Sequence, residues 1–225
     1  MKDYKIDLPT ALAILSEDLG ESVETLEGYV KEDNIGGYYY PPNPHNKYFP
    51  SYEPISSNPT WPGGCVWETE GLLLYLFTRV MKPDVVVEIG SYRGCSLAHI
   101  SLALENNNRG IVYAVDPGQS IMMDLFPMSA WHRVTQVFED AFAWTPPGNI
   151  DLLHEDGAHC PGFTEGVMKK YLPLMNTRNI VVSHDPFYPA WTNGIANEFC
   201  GVVSQESTII NICPGGCGQI YKISF

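Results

Sequence analysis

The sequence predicts an α/β fold, a doubly wound, mostly parallel seven-stranded sheet that ends in an antiparallel hairpin. Three observations carry this. Val85-Val86-Val87-Glu88-Ile89 is a β-branched apolar run, the pattern of a strand buried on both faces. A glycine-bounded loop, Gly90 to Gly94, follows it, and then a stretch with helical spacing (Ala98, Ile100, Leu102, Leu104). Strand-like and helix-like segments alternate from there to Phe199, which calls for parallel strands with helices on both faces.

Taken in order, Pro9 to Lys31 has apolar residues at roughly helical spacing and predicts one helix. From Asn34 to Gly64 the chain turns to Gly, Pro, Tyr and Asn, a long aperiodic segment whose aromatic density suggests a lid over a cleft or a protomer contact in a homo-oligomer. Residues 1–66 are thus read as an N-terminal helical and Tyr/Pro/Gly-rich extension, and 67–225 as the main domain. Glu68-Thr69-Glu70-Gly71 opens a helix over Leu72 to Val80, with Thr69 as a candidate cap. The strands that follow Val85–Ile89 are Ile111–Val115, Arg133–Phe138, Ile150–His154 and Ile180–His184. Helices are expected over Ile121–Trp131, Phe163–Met175 and Trp191–Phe199. Thr208–Ile212 and Gln219–Phe225 flank Cys213-Pro214-Gly215-Gly216-Cys217 and read as the closing hairpin.

A chain of 225 residues holds one domain with a sizeable core. Its net charge of -13 argues against nucleic acid and against an acidic membrane surface, both of which would repel it. No apolar run is long enough to span a bilayer and Met1 to Asp7 has no signal-peptide core, so a cytoplasmic protein is expected. Six scattered cysteines lack the paired spacing of a zinc site and read as free thiols in a reducing compartment.

In open α/β sheets a ligand sits beyond the carboxyl ends of the strands. Those ends carry Glu88, Asp116, Asp140, Asp156 and Asp185, five acids that would repel unless cations or hydroxyl donors share them. Asp116 lies where such sheets place the acid that bonds a ribose, about 20 residues past the loop. The loop is Glu-x-Gly-x-x-x-Gly and lacks the pyrophosphate fingerprint, so a nucleoside without pyrophosphate is favoured. Asp156 and Asp185 are hard oxygen donors on adjacent strand ends, suited to a divalent cation, and His159 stands three residues past Asp156 as a candidate base. The bland alternatives are helix caps for the two acids and a satisfied polar residue for His159.

These residues resemble the S-adenosylmethionine site of class I methyltransferases, over about Glu68 to Phe225. The resemblance implies a class I methyltransferase-like Rossmann fold and a cofactor set of Thr69, Glu88, Gly90, Ser91, Tyr92, Gly94, Ser96, Asp116, Asp140 and Ala141. Within that class the Asp156-x-x-His159 and His184-Asp185 pairs are similar to the metal-dependent O-methyltransferases of sugars and small phenols, among them the macrolide-sugar and cephalosporin-hydroxylase-like groups. That likeness implies His159 and Asp156 as the catalytic pair and Asp156, His184 and Asp185 as ligands of a divalent metal, Mg²⁺ in the relatives. The chain departs at His184, where the relatives carry an acid, and imidazole is a poorer Mg²⁺ ligand. The expected activity is methyl transfer from S-adenosylmethionine to a hydroxyl of a small acceptor. The alternatives are a metal-independent enzyme acting by proximity and a protein that kept the fold without the chemistry.

Overall fold

The computed structural model describes residues 2–5, 7–32, 66, 68–118, 121, 126–187, 194–211 and 218–225. The aromatic segment over 34–64 and the turn over 213–217, both singled out in the sequence, lie outside the described residues.

The Pro9–Lys31 stretch forms two helices rather than one, α1 (Leu8–Leu19) and α2 (Val23–Glu32). Asp7 caps α1 by accepting the Thr10 N–H at 3.0 Å. Gly20 ends it in the left-handed conformation (φ +69°), its N–H on Ser16 O at 3.0 Å, and Ser22 caps α2 through the Thr25 N–H at 3.1 Å. The apolar spacing runs through this stop signal, which is why periodicity alone merges the two helices.

Helix α3 (Glu68–Met81) leads into β2 (Val85–Ile89), followed by α4 (Cys95–Asn106) and β3 (Ile111–Val115). Of the helix expected over Ile121–Trp131, the described part is a 3₁₀ turn, Met128–Arg133, that feeds β4 (Val134–Val137). Then come β5 (Ile150–Glu155), α5 (Phe163–Tyr171), β6 (Met175–His184), α6 (Gly194–Val202), β7 (Thr208–Asn211) and β8 (Gln219–Ser224). A further strand, β1 (Lys2–Lys5), precedes them all.

The strand order is β1-β7-β8-β6-β5-β2-β3-β4. Every neighbouring pair is parallel except those made by β8, which runs antiparallel to β6 and β7. The seven expected strands are present with the hairpin at the end, and β1 adds an eighth alongside β7. Four residues are too short to show a period, so the sequence carried no signal for it.

Two apolar layers cover the sheet. On one face Val86, Leu152, Ile180 and Val182 pack with Leu72–Phe77 of α3, with α4, and with Leu12, Leu15 and Leu26 of α1 and α2. On the other, Val87, Ile89, Leu153 and Val181 pack with Val167 and Met168 of α5 and Phe199 of α6. The N-terminal helices therefore complete the core of the sheet rather than building one of their own. From β2 the chain steps to β3 and β4 on one side, and it reaches β5 and β6 on the other, so the order reverses between β2 and β5. Loops diverge at such a point and leave a crevice above the strand ends. Among the described residues no helix is long and apolar enough to cross a membrane.

Candidate active site

A crevice of about 480 Å³ opens at that reversal. It is lined by Ile89, Gly90, Tyr92, Val115, Asp116, Pro117, Asp140, Ala141, the run Asp156 to His159, and Phe163. The backbone ladder extends into the loops and sets their starting points: Gly90 N–H donates to Val115 O at 2.9 Å, Asp156 N–H to Ile89 O at 2.9 Å, and Asp116 N–H to Val137 O at 3.0 Å.

Gly90 has φ +85°, and a Cβ there would lie 2.1 Å from the carbonyl oxygen of Asp156. Only glycine lets the loops after β2 and β5 touch in this way. Tyr92 also has positive φ (+41°) and is held there by its N–H on Asp116 Oδ2 at 2.8 Å. Asp116 Oδ1 accepts the Gly118 N–H at 2.8 Å, so the carboxylate is fixed at both oxygens with one acceptor site left on each. Asp140 folds its own loop, accepting the Phe142 N–H at 2.7 Å, and Ala141 is buried beside it.

Four other members of the expected cofactor set, Glu88, Ser91, Gly94 and Ser96, are not among the residues that line the crevice. Glu88 is buried on the α3–α4 face, with Oε1 3.1 Å from His154 Nδ1. Ser91 and Ser96 are also buried, and Gly94 (φ +87°) is the residue from which α4 starts. Thr69 is the second residue of α3, inside the helix rather than ahead of it as a cap, and its side chain is outside the described set.

The two residues expected as a catalytic pair, His159 and Asp156, lie together at the rim. His159 Nε2 lies 3.3 Å from Asp156 Oδ1, within ion-pair reach but not aligned as a hydrogen bond. The same Asp156 oxygen takes His184 Nδ1 at 2.9 Å, while His184 Nε2 reaches Glu70 Oε2 at 3.0 Å and lies 3.5 Å from Asp185 Oδ1. Burial works against charge on His184, but Asp156 and Glu70 outweigh it and raise its pKa well above the usual imidazole value. Burial likewise opposes charge on Asp156, and His184 and His159 overcome it to hold that carboxyl below its usual range. The contact with Asp156 raises the His159 pKa against partial burial, and burial raises that of Asp185.

The geometry bears on the expected metal trio of Asp156, His184 and Asp185. A single ion held by Asp156, His184 and Asp185 needs one ring nitrogen facing both acids, yet His184 turns Nδ1 to Asp156 and Nε2 towards Glu70 and Asp185. Two other triples, Asp156-His159-His184 and Glu70-His184-Asp185, bring donor atoms within 4.8 Å of one another. Both draw on His184, whose two ring nitrogens each already face a carboxylate. The first triple would also consume His159. As arranged, the expected trio of Asp156, His184 and Asp185 does not converge on one point, because the two acids face different nitrogens of the ring.

Three buried polar positions beside the site were not singled out in the sequence, Glu70, His154 and Glu155. Glu70 looked like helix-start polarity, and His154 like the apolar end of a strand. Glu155, buried at the end of β5, accepts bonds from Gly157 N–H (3.0 Å), Thr164 Oγ1 (3.0 Å) and Ser183 Oγ (2.7 Å), which ties down the loop that carries Asp156 and His159. An acid at a strand end is the signal for Glu155, and the adjacent Asp156 masked it.

A family profile described as a methyltransferase domain matches residues 87–186, the stretch from β2 to just past β6. Solved structures share the architecture at low identity. An O-methyltransferase from Bacillus cereus, in complex with S-adenosylhomocysteine, is 14% identical, with 96% of this chain and 97% of that one covered and a TM-score of 0.57. The chain carries the class I methyltransferase fold. The O-methyltransferase TomG from Streptomyces achromogenes, in complex with S-adenosylmethionine, shares that fold at 17% identity, 96% coverage of both chains and a TM-score of 0.55. A methyltransferase from Geobacter sulfurreducens does so at 18% identity over 72% of this chain and 81% of its own, with a TM-score of 0.56. No curated protein matches the chain in sequence. In the methyltransferase fold the crevice described here is the space above the reversal in strand order, and the Asp156–His159 loop forms one wall of it.

Proposed function

We propose that the chain transfers a methyl group from S-adenosylmethionine to a hydroxyl of a small acceptor, with His159 taking the hydroxyl proton. The observation that carries this reading is the placement of Gly90, Asp116 and His159 around one crevice at the topological switch. S-adenosylmethionine, when bound, supplies an electrophilic methyl on a sulfonium and departs as the neutral thioether. The chain's part is to hold, orient and deprotonate.

Asp116 keeps an acceptor site on each oxygen for a ribose diol, and Asp140 and Ala141 line the same crevice and are assigned to the nucleobase. The acidic lining favours a ligand with positive charge. His159 also lines the crevice, one quarter exposed, with Nε2 turned towards Asp156. Its Nδ1 is then the nitrogen that accepts the proton, and the Asp156 carboxylate steadies the imidazolium that forms. The bridging position of His184 between two carboxylates supports the metal-independent form of this activity over the metal-assisted one. The cation that Asp156 calls for is already supplied by a side chain.

The deciding experiment is calorimetry with S-adenosylhomocysteine, followed by product detection across a panel of hydroxylated small molecules with and without chelator. The expected outcome is saturable binding, products one CH₂ heavier, and turnover that survives the chelator. His159→Gln should keep the affinity and lose about 10²–10⁴-fold in turnover, the usual worth of a positioned base. Absence of binding would overturn the enzymatic reading, and turnover abolished by chelator and restored by a divalent ion would return a metal to the site.

A further inference from the structure

The polar contacts around Asp156 form a chain that leaves the crevice and ends inside α3. His159 Nε2 lies 3.3 Å from Asp156 Oδ1, that oxygen lies 2.9 Å from His184 Nδ1, and His184 Nε2 lies 3.0 Å from Glu70 Oε2. Glu70 is 1% exposed and stands 114 positions from His184 in the sequence. A carboxylate in the first turn of a helix has free amide N–H groups close at hand. This one aims Oε2 at an imidazole on the sheet, and a carboxylate so deeply buried is tolerated only when it is partnered.

Two features of the fold hold the ends of the chain in place. The β5–β6 register pairs Glu155 with Ser183, so Asp156 and His184, one residue further on, stand side by side beyond the last ladder pair. His184 shares the face of Val182 and Ile180, the face that α3 covers. The seating of α3 is fixed by Gly71, next to Glu70: a Cβ there would lie 2.3 Å from the His99 ring of α4. Glycine at that position lets the first turn of α3 sink towards α4 and the sheet, which brings Glu70 to the level of the strand ends.

An imidazole held at one nitrogen can swing about its Cβ–Cγ bond, whereas one held at both has a single orientation. Asp185 Oδ1, at 3.5 Å from the same Nε2, is too far to replace Glu70 as a hydrogen-bond acceptor. We propose that Glu70 is a positioning residue for the methyl transfer: its bond to His184 Nε2 fixes the ring, and the ring fixes the Asp156 oxygen that holds His159. The inference rests on the reading of His159 as the base, and it places a determinant of that base on a helix none of whose described side chains lines the crevice.

The test reads ring geometry directly, in protein labelled with ¹⁵N-histidine. Imidazole ring spectra are compared for the wild type, Glu70→Gln and Glu70→Leu, with and without S-adenosylhomocysteine, with assignments from His159→Gln and His184→Gln. Glu70→Gln keeps an oxygen acceptor at the same reach, whereas Glu70→Leu removes it. The expected result is that Glu70→Leu loses the slowly exchanging His184 Nε2–H signal and shifts the ring nitrogens of His159, while Glu70→Gln keeps both close to wild type. All three should bind S-adenosylhomocysteine equally. A residue that merely stabilised α3 would leave the His159 nitrogens unmoved.

His159 signals that coincide in the wild type and Glu70→Leu would overturn the proposal, as would a Gln variant displaced as far as the Leu variant. Should Glu70→Leu fail to fold, Glu70→Gln decides alone, and loss of its His184 Nε2–H signal is the refuting result. Spectra recorded without ligand report on the chain even if the wild type gives no heat with S-adenosylhomocysteine, so a failure of the methyltransferase reading is told apart from a failure of this one.

Discussion

Replacing Gly90 by alanine tests the geometry of the crevice most directly. Two costs arise, and they can be separated. The backbone cost comes from φ +85°, a conformation that charges an L-residue about 1–2 kcal/mol. The steric cost comes from a Cβ placed 2.1 Å from Asp156 O, 2.6 Å from its carbonyl carbon and 2.7 Å from Gly157 Cα. All three atoms are backbone, so no side chain can swing away. To restore an ordinary 3.4 Å contact the loop must retreat by about 1.3 Å, and that loop carries Asp156 and His159. Gly20→Ala is the control: it has positive φ (+69°) but nothing within 4 Å of its added Cβ, at a helix end remote from the crevice. The control should lower the thermal midpoint by about 2–4 °C, the equivalent of about 1 kcal/mol in a chain of this size, and leave binding of S-adenosylhomocysteine intact. Gly90→Ala should lower the midpoint further and weaken binding by at least about tenfold, or about 1.4 kcal/mol. Differential calorimetry and isothermal titration on both variants give the comparison. If Gly90→Ala binds as tightly as Gly20→Ala, the contact between the two loops does not shape the ligand site and the reasoning fails.

Three further outcomes follow from the same geometry. Asp116→Ala leaves the Tyr92 and Gly118 N–H groups without their acceptor and frees Tyr92 from its left-handed conformation, so affinity for S-adenosylhomocysteine should fall by about 1–3 kcal/mol, and wild-type affinity would exclude the ribose contact. His159 must be neutral to accept a proton, and Asp156 raises its pKa, so the acid limb of kcat/KM should lie above the ordinary imidazole value of 6.5 and move down in Asp156→Asn; a limb that stays put would remove His159 from that role. His184 has a folded pKa above its unfolded one, so its contribution to stability is complete below about 6.5 and is lost as pH rises through the raised value. The thermal midpoint should therefore decline from neutral to alkaline pH, and a flat profile there would show that His184 is not held as a cation.

Much of the fold was legible because its signals are local. A β-branched run followed by glycines announces β2 and its loop, and alternation of strand and helix announces the parallel sheet. What failed also failed locally. The stop at Gly20 was hidden by uninterrupted apolar spacing, and β1 is a strand only because β7 offers it a ladder. At the site, Gly90, Asp116, Asp140 and the Asp156–His159 loop stand at strand ends, so topology alone brought them to one rim. Glu88 was placed by the same rule but is buried on the face that α3 and α4 cover, because the rule gives a residue's height along the strand and not the face to which its side chain turns.

The partners of the acids followed no such rule, and this is where the sequence reading reached its physical end. Five rim acids pose a repulsion problem that the sequence states but does not solve. The structure solves it piecemeal: backbone N–H groups hold Asp116 and Asp140, His154 faces Glu88, and two histidines share Asp156. The decisive pairs lie 28, 66 and 114 positions apart, joined by register and helix seating rather than by motif. A divalent ion was the simplest neutraliser to infer for Asp156 and Asp185, because the alternative needed a fourth residue, Glu70, whose position depends on how deeply α3 sinks against His99. Histidine at position 184 therefore does more than weaken a metal site. With an acid on each side of its ring its charged form is favoured, and in the proposed chain of contacts it ties the geometry of the base to the core of the fold.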